Sequence, residues 1–162
     1  MRIQRRRTPG WRMPEGAVHV GRPSPWGNPF PLTGEWIMWT AVSLGFRADA
    51  AGRREAAVTL HRAWMTGSLP LRTGHRERGG VGAIEYSSGL VAPIDAVVHG
   101  LAARMATVVD LPGRLADLGG PPDLAPLRGA TALACWCALV DAEGRPVPCH
   151  ADALIELLGA GR

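Results

Sequence analysis

The spacing of apolar residues along the chain predicts short strands and helices. Compact apolar stretches at residues 17–20 and 132–135 have the length and content of short strands, and the second reads as buried. Patterns with apolar residues at helical spacing lie at 35–44, 53–65, 93–105, 111–118 and 151–158. This order of elements predicts a single Rossmann-like α/β domain with a short, largely parallel sheet flanked by helices.

Two segments interrupt this pattern. The sequence SPWGNPFP at 24–31 has three prolines in eight residues, which excludes a helix and predicts a rigid loop. Residues 70–89 are polar and rich in glycine, so we expect a flexible excursion there.

Composition indicates a globular protein with no membrane partner. The 162 residues are 46% hydrophobic and 20% charged, and no apolar run reaches the roughly 18 residues that span a bilayer. The basic N-terminus has no apolar core behind it, so we predict no signal peptide and a cytoplasmic location. Three cysteines, an odd number, argue against a disulfide scaffold.

Positive charge is concentrated at the N-terminus and comes from arginine alone. The net charge is +4, and all 18 basic residues are arginine, which excludes Schiff-base and P-loop lysine mechanisms. Anions would be held by arginine forks or backbone N–H groups. The arm from Arg2 to Arg12 suits nucleic-acid phosphates. Alternatively, Arg5 and Arg7, on one face of a strand, line a small-ligand site.

All three cysteines and one histidine lie in a single strand–loop–helix stretch. Cys135 and Cys137 close the apolar strand, and Cys149 and His150 open the last helix. Three interpretations fit: the four side chains bind a metal ion, Cys149 is a reactive thiolate at a helix N-terminus, or the cysteines are small buried hydrophobes. Cys-x-Cys spacing and adjacent Cys-His ligands are unusual for zinc, so we predict little bound metal and no resident cofactor.

The thiolate interpretation supplies candidate catalytic residues. Cys149 near the mouth of the site is the nucleophile, His150 or His19 is the base, and Asp152 in the first helical turn is the carboxylate. The alternative carboxylates are Glu15 and Glu35. A nucleophile needs a partner within hydrogen-bond distance, and only the tertiary structure supplies that distance.

The proline-stiffened loop is the second candidate for a ligand site. Trp26 offers a stacking surface for a nucleobase, Arg22 a partner for phosphate, and Gly27 and Asn28 a close polar approach. We expect this loop to meet the Cys/His stretch, with Cys137 lining the same site. The alternative is a loop that only packs in the core, with Trp26 buried.

Three motifs, taken together, resemble a known family. They are RRRTPGWRMP at 5–14, GRPSPWGNPF at 21–30, and LACWC followed by PCHAD within 133–152. The combination resembles DUF4326, a family of small bacterial and phage proteins without an assigned function. The resemblance implies that 71–105 is an insertion within one domain spanning 1–162. The C-terminal strand and Cys-His helix are also similar, more loosely, to the DUF488 family, whose members look α/β.

Three hypotheses for function follow. The first is a nucleotide- or nucleoside-directed enzyme, a hydrolase or transferase acting at a glycosidic or phosphate bond. The second is a non-catalytic protein that binds or sequesters a nucleotide. The third is a small zinc-stabilised protein that binds nucleic acid through its basic arm. The sequence does not determine the oligomeric state.

Overall fold

The computed structural model describes residues 1–68, 72–78, 81–86, 91–93 and 120–160. Its strands are β1 (Arg2–Gln4), β2 (Ala17–His19), β3 (Arg72–Arg78), β4 (Val81–Tyr86), β5 (Val91–Pro93) and β6 (Ala132–Cys135). Its helices are α1 (Glu35–Ser43), α2 (Ala50–Met65) and α3 (His150–Ala160), with a short 3-10 helix at Ala125–Leu127. The chain divides into two compact units, Met1–Pro29 with Pro121–Arg162, and Phe30–Gly120.

A three-stranded parallel sheet forms the centre of the first unit. β6 lies between β1 and β2, and both neighbours run parallel to it. All four residues of β6 are buried, as expected for a central strand of a parallel sheet. The ladder continues past the strands, where Arg5 N–H donates to Cys135 O at 2.8 Å and Val20 N–H donates to Ala134 O at 2.9 Å. Both predicted apolar strands are confirmed.

The helix α3 packs against β6 and β1 in the same unit. Ala151, Ala153 and Leu154 are buried, so the helix has the apolar face that its sequence predicts. It begins immediately after Cys149 and carries Asp152 in its first turn, where a carboxylate is favoured by the positive end of the helix dipole. The predicted helix at 151–158 is therefore confirmed.

Arg2 fastens the loop between β6 and α3 to the sheet. Its guanidinium donates to the carbonyl oxygens of Val147 at 2.9 Å and Leu139 at 3.2 Å, and it pairs with the Asp152 carboxylate at 2.7 Å. The side chain is only 9% exposed, so these charge-assisted hydrogen bonds are partly shielded from water. Arg2 is thus a structural residue and not a free part of the basic arm.

Helices α1 and α2 pack against each other in the second unit. Their buried apolar residues include Ile37, Ala41, Ala56, Ala57 and Leu60. Asp49 caps α2, because its side chain accepts the Gly52 backbone N–H at 2.9 Å. The helices predicted at 35–44 and 53–65 are confirmed.

An antiparallel sheet occupies the place of the predicted flexible excursion. β4 pairs with both β3 and β5. The prediction of a flexible segment at 70–89 is wrong over β3 and β4, because the two strands satisfy each other's backbone hydrogen bonds although β3 itself is polar. Pro93 ends β5, whereas the sequence predicts a helix start there. The rest of that helix and the one at 111–118 lie outside the described residues.

The described residues form a mixed α/β structure with a small parallel sheet and three helices. The predicted α/β class is confirmed at this level. Within the described ranges, no helix combines the length and the apolar character that crossing a bilayer requires.

Candidate functional site at the carboxyl edge of the parallel sheet

The carboxyl ends of β1, β6 and β2 lie side by side because the strands are parallel. Arg5 follows β1 directly, Trp136 follows β6, and Val20 and Arg22 come shortly after β2. His150, the first residue of α3, reaches the same place, since its Nε2 lies 2.8 Å from Val20 O. Ligands commonly bind outside the carboxyl ends of parallel strands. We call this region the carboxyl edge.

The three cysteines and His150 converge at the carboxyl edge. Their three Sγ atoms and one imidazole nitrogen all lie within 4.8 Å of one another. The Sγ atoms of Cys135 and Cys137 are 3.4 Å apart, and Cys149 Sγ is 3.8 Å from His150 Nδ1. Cys137 is half-buried and the other three are buried. The structure therefore assembles all four members of the predicted Cys/His stretch, which we call the Cys/His cluster.

The surroundings of His150 decide which ring nitrogen faces the cluster. The carbonyl oxygen of Val20 only accepts hydrogen bonds, so Nε2 carries the hydrogen and donates it at 2.8 Å. Burial lowers the pKa of His150, and the positive charge of Arg22 lowers this pKa further. The hydrogen bond to Val20 acts in the opposite direction. The neutral ring presents the lone pair of Nδ1 to the thiols.

Cys149 lies just before α3, as the sequence predicts, but the residue is only 1% exposed, so it does not lie at the mouth of a site. Hydrogen bonds with Cys135 and Cys137 raise the pKa of Cys149, and burial raises it further. A hydrogen bond with Cys137 is also the largest cause that raises the pKa of Cys135. A nucleophilic thiolate needs a lowered pKa and access to substrate. The geometry does not favour this chemistry, and the catalytic roles of Cys149 and His150 stay predictions.

Asp152 is engaged by Arg2 rather than by the Cys/His cluster. The two side chains form an ion pair at 2.7 Å. Burial raises the pKa of Asp152, and the positive charge of Arg2 opposes that increase. The observed contact is structural, and a catalytic role for Asp152 stays a prediction. Of the alternative carboxylates, Glu15 is exposed in the first unit and Glu35 belongs to the second unit.

Trp136 is the centre of a basic aromatic surface on the carboxyl edge. The residue is 39% exposed. The guanidinium carbon of Arg5 lies 4.4 Å from its ring centroid and that of Arg7 lies 5.1 Å away, both within cation–π range. The His19 ring meets Trp136 edge-on with centroids 6.4 Å apart. These four residues are called the Arg–Trp face. Within the described ranges, the buried Nε of Arg5 has no hydrogen-bond partner.

Two glycines allow close approaches in the loop after β2, one to this surface and one within the loop itself. A Cβ atom on Gly21 would lie 2.7 Å from His19 Cε1 and 3.5 Å from Trp136 Cδ1. A Cβ atom on Gly27 would lie 2.8 Å from the backbone nitrogen of Arg22, so the loop is tightly folded on itself. Gly27 needs to be glycine because backbone atoms of Arg22 leave no room for a side chain, whereas a side chain at position 21 would displace the His19 ring. Gly21 thus packs directly against the Arg–Trp face.

The remaining loop residues contribute packing as well as exposed surface. Trp26 is half-buried and donates its ring N–H to the Asp123 carbonyl oxygen at 2.9 Å. Asn28 is half-buried too. Phe30 belongs to the second unit, where it is 1% exposed and stacks on Trp36 with centroids 6.5 Å apart. Trp26 therefore anchors the loop, and the roles of Trp26 and Asn28 in ligand binding stay predictions.

The sequence analysis does not identify Trp136 as a candidate site residue. A single aromatic residue beside a buried strand usually contributes to packing, and apolar periodicity does not distinguish the two cases. The available signal was its position directly after the central strand, between two cysteines, where parallel sheets bind ligands. Arg5 and Arg7 were anticipated as alternative ligand residues.

The sequence profile described as Domain of unknown function (DUF4326) matches residues 3–160. The chain belongs to the DUF4326 family. The match includes both the Arg–Trp face and the Cys/His cluster of this DUF4326 protein, and also residues 71–105. No curated protein and no solved structure matches it. The looser similarity to the DUF488 family is not shown by these comparisons.

Proposed function

We propose that this DUF4326 protein binds a nucleotide on the Arg–Trp face and acts on its phosphate or glycosidic bond as a hydrolase or transferase. The observation that carries the proposal is the exposed Trp136 ring with the guanidinium groups of Arg5 and Arg7 beside it. A nucleotide combines an aromatic base with a phosphate. The face offers a ring for stacking and planar guanidinium groups for bidentate phosphate binding.

The loop after β2 completes the proposed site. Arg22 is exposed, and its charge acts on His150 at the carboxyl edge. It provides a third guanidinium group for an anionic ligand. We propose a Rossmann-like arrangement for the first unit, because its parallel strands present these groups outside their carboxyl ends.

The geometry favours His19 over His150 as the general base. His19 Nδ1 lies 3.1 Å from the Ala134 carbonyl oxygen, so it carries the hydrogen and leaves a lone pair on Nε2. In hydrolysis, Nε2 takes a proton from water as the water oxygen bonds to phosphorus or the anomeric carbon. The leaving group departs with the electrons of the broken bond and is protonated by solvent.

Binding is tested first, with a panel of nucleotides and isothermal titration calorimetry. Trp136→Ala should weaken binding by roughly 5- to 150-fold, because stacking contributes about 1–3 kcal/mol per base. Arg5→Ala should weaken binding of phosphorylated ligands more than that of nucleosides, because only the former engage the guanidinium. Both variants should retain the melting temperature of the wild type within a few degrees.

Matched control variants separate this face from general charge and aromatic content. Arg6→Ala removes an exposed arginine that lies between Arg5 and Arg7 in the sequence but is not part of the Arg–Trp face. Trp39→Ala removes a tryptophan that is 56% exposed in the second unit. Both should bind normally. Arg6 and Trp11 line a separate cavity of about 500 Å³, and loss of binding in Arg6→Ala alone would contradict the assignment to the Arg–Trp face.

Turnover distinguishes an enzyme from a non-catalytic binder. Wild-type protein should convert a large excess of its nucleotide, followed by phosphorus NMR and chromatography, whereas His19→Ala should bind the nucleotide but not convert it. Return of unchanged ligand would favour the non-catalytic hypothesis. Tight binding to DNA or RNA that falls steeply with salt, without nucleotide binding, would favour the nucleic-acid hypothesis.

A further inference from the structure

We propose that Cys135, Cys137, Cys149 and His150 hold one zinc ion in a closed tetrahedral site that joins the end of β6 to the start of α3. This proposal reverses the sequence-based prediction of little bound metal. It does not depend on the proposed function, because it concerns residues outside the Arg–Trp face and a property that is measured without any nucleotide.

The four ligand atoms have the spacing of a tetrahedron around one ion. Zinc–sulfur bonds of about 2.3 Å and zinc–nitrogen bonds of about 2.0–2.1 Å place neighbouring ligand atoms roughly 3.5–3.8 Å apart. The Cys135–Cys137 sulfur distance is 3.4 Å, and the distance from Cys149 Sγ to His150 Nδ1 is 3.8 Å. No pair is more than 4.8 Å apart, so shifts of about 1 Å or less complete the site.

The backbone conformation explains how the Cys-x-Cys spacing and the adjacent Cys-His pair, both unusual for zinc, can still supply four converging ligands. β6 ends at Cys135, and the chain bends at Trp136 and Cys137. This bend places Cys137 Sγ 3.4 Å from Cys135 Sγ. Cys149 and His150 straddle the start of α3, where the chain changes from irregular to helical backbone. Their side chains consequently point to the same side even though they are adjacent in sequence.

The orientation of His150 is that of a metal ligand with a supporting hydrogen bond. Its Nε2–H donates to the Val20 carbonyl oxygen at 2.8 Å, which leaves Nδ1 for the ion. Histidine ligands generally hold their second nitrogen in this way, because the bond orients the ring. This hydrogen bond also connects the proposed site to the end of β2, 130 positions away in the sequence.

The donor set selects zinc and a structural role. Magnesium and calcium prefer oxygen ligands, whereas three thiolates and one imidazole suit zinc. An iron–sulfur cluster has to place its own iron and sulfide atoms between the thiolates, and a span of 4.8 Å leaves room for one ion. Four protein ligands leave no position for water or substrate, as in structural zinc sites.

Metal analysis of the full-length protein, purified without chelator, tests the proposal directly. We expect about one zinc ion per chain, and X-ray absorption should give three sulfur ligands at about 2.3 Å and one nitrogen at about 2.0 Å. Three results would contradict the proposal: protein that contains no zinc, protein that contains iron or copper instead of zinc, or a water oxygen among the metal ligands. These readouts need no variant, so they hold even if a ligand substitution prevents folding.

Variants and chelation test the assignment of the ligands and the structural role. Cys137→Ser and His150→Ala should lose most of the zinc, whereas His19→Ala, which removes a neighbouring histidine outside the cluster, should keep it. Chelation should lower the melting temperature of the wild type, and added zinc should restore it. A zinc-free wild type that melts unchanged would refute the structural role. A Cys135–Cys137 disulfide in the native protein would remove two ligands and refute the site.

Discussion

Replacement of Arg2 by methionine should destabilise the first unit while leaving its core intact. The change removes the guanidinium but keeps an apolar stem of similar length. It deletes the hydrogen bonds to the Val147 and Leu139 carbonyl oxygens and the 2.7 Å ion pair with Asp152. The loop between β6 and α3 then loses the side-chain link that holds it to β1.

The expected loss in the free energy of unfolding follows from the burial and the number of the contacts that Arg2 makes. Hydrogen bonds to charged groups contribute about 1.5–3 kcal/mol each, but such contributions are not additive. The Arg2 side chain is 9% exposed and that of Asp152 is 46% exposed, so water screens one end of the pair. We expect a loss of about 3 kcal/mol in the free energy of unfolding. For a chain of this size the melting temperature should fall by roughly 6–12 °C.

Thermal unfolding of matched arginine variants is the assay. Arg145 also makes two 2.7 Å ion pairs, with Asp141 and Glu143, but its side chain is 65% exposed. Arg145→Met should therefore change the melting temperature little. Arg2→Lys should be intermediate, because an ammonium group keeps the charge but not the planar fork. If the Arg2→Met variant has the same melting temperature as the Arg145→Met variant, this account of the loop is refuted.

Three further predictions concern the site, the second unit and the core. Zinc removal should weaken nucleotide binding measured by calorimetry, because Trp136 lies in the sequence between two proposed zinc ligands, Cys135 and Cys137. Unchanged affinity would contradict this prediction and show that the Arg–Trp face does not depend on the zinc site. The hydrogen bond from Gly52 N–H and the charge of Arg47 lower the pKa of Asp49 from its ordinary 3.8. Its contribution to α2 should be present above that value and lost as pH falls through the lower folded value. The melting temperature of the Asp49→Asn variant should therefore fall less steeply at acid pH than that of the wild type. The same dependence on pH in both proteins would contradict this prediction. Leu154 is fully buried, so Leu154→Ala should cost about 2–5 kcal/mol in chemical unfolding, and a smaller loss would indicate a loosely packed core.

Much of the secondary structure was determined by local sequence. The apolar run at 132–135 and the helical spacing at 151–158 place β6 and α3, since burial of one face needs only the right spacing along the chain. The strands β3 and β4 escaped this reasoning. β3 is polar and lacks an apolar pattern of its own, and it is ordered by pairing with β4. The partner of a strand is not encoded in the strand's own periodicity.

For the candidate site, the sequence by itself determined the chemistry and the tertiary structure decided the geometry. Three cysteines and His150 in one stretch marked the place, and the absence of lysine left arginine as the cation. Only the fold brings Arg5 beside Trp136, because β1 pairs with β6 across about 130 residues of chain. Only the bend after β6 and the helix start bring the four ligand atoms together. Contacts between distant segments depend on strand pairing and packing, which act in space and leave little trace in the order of residues.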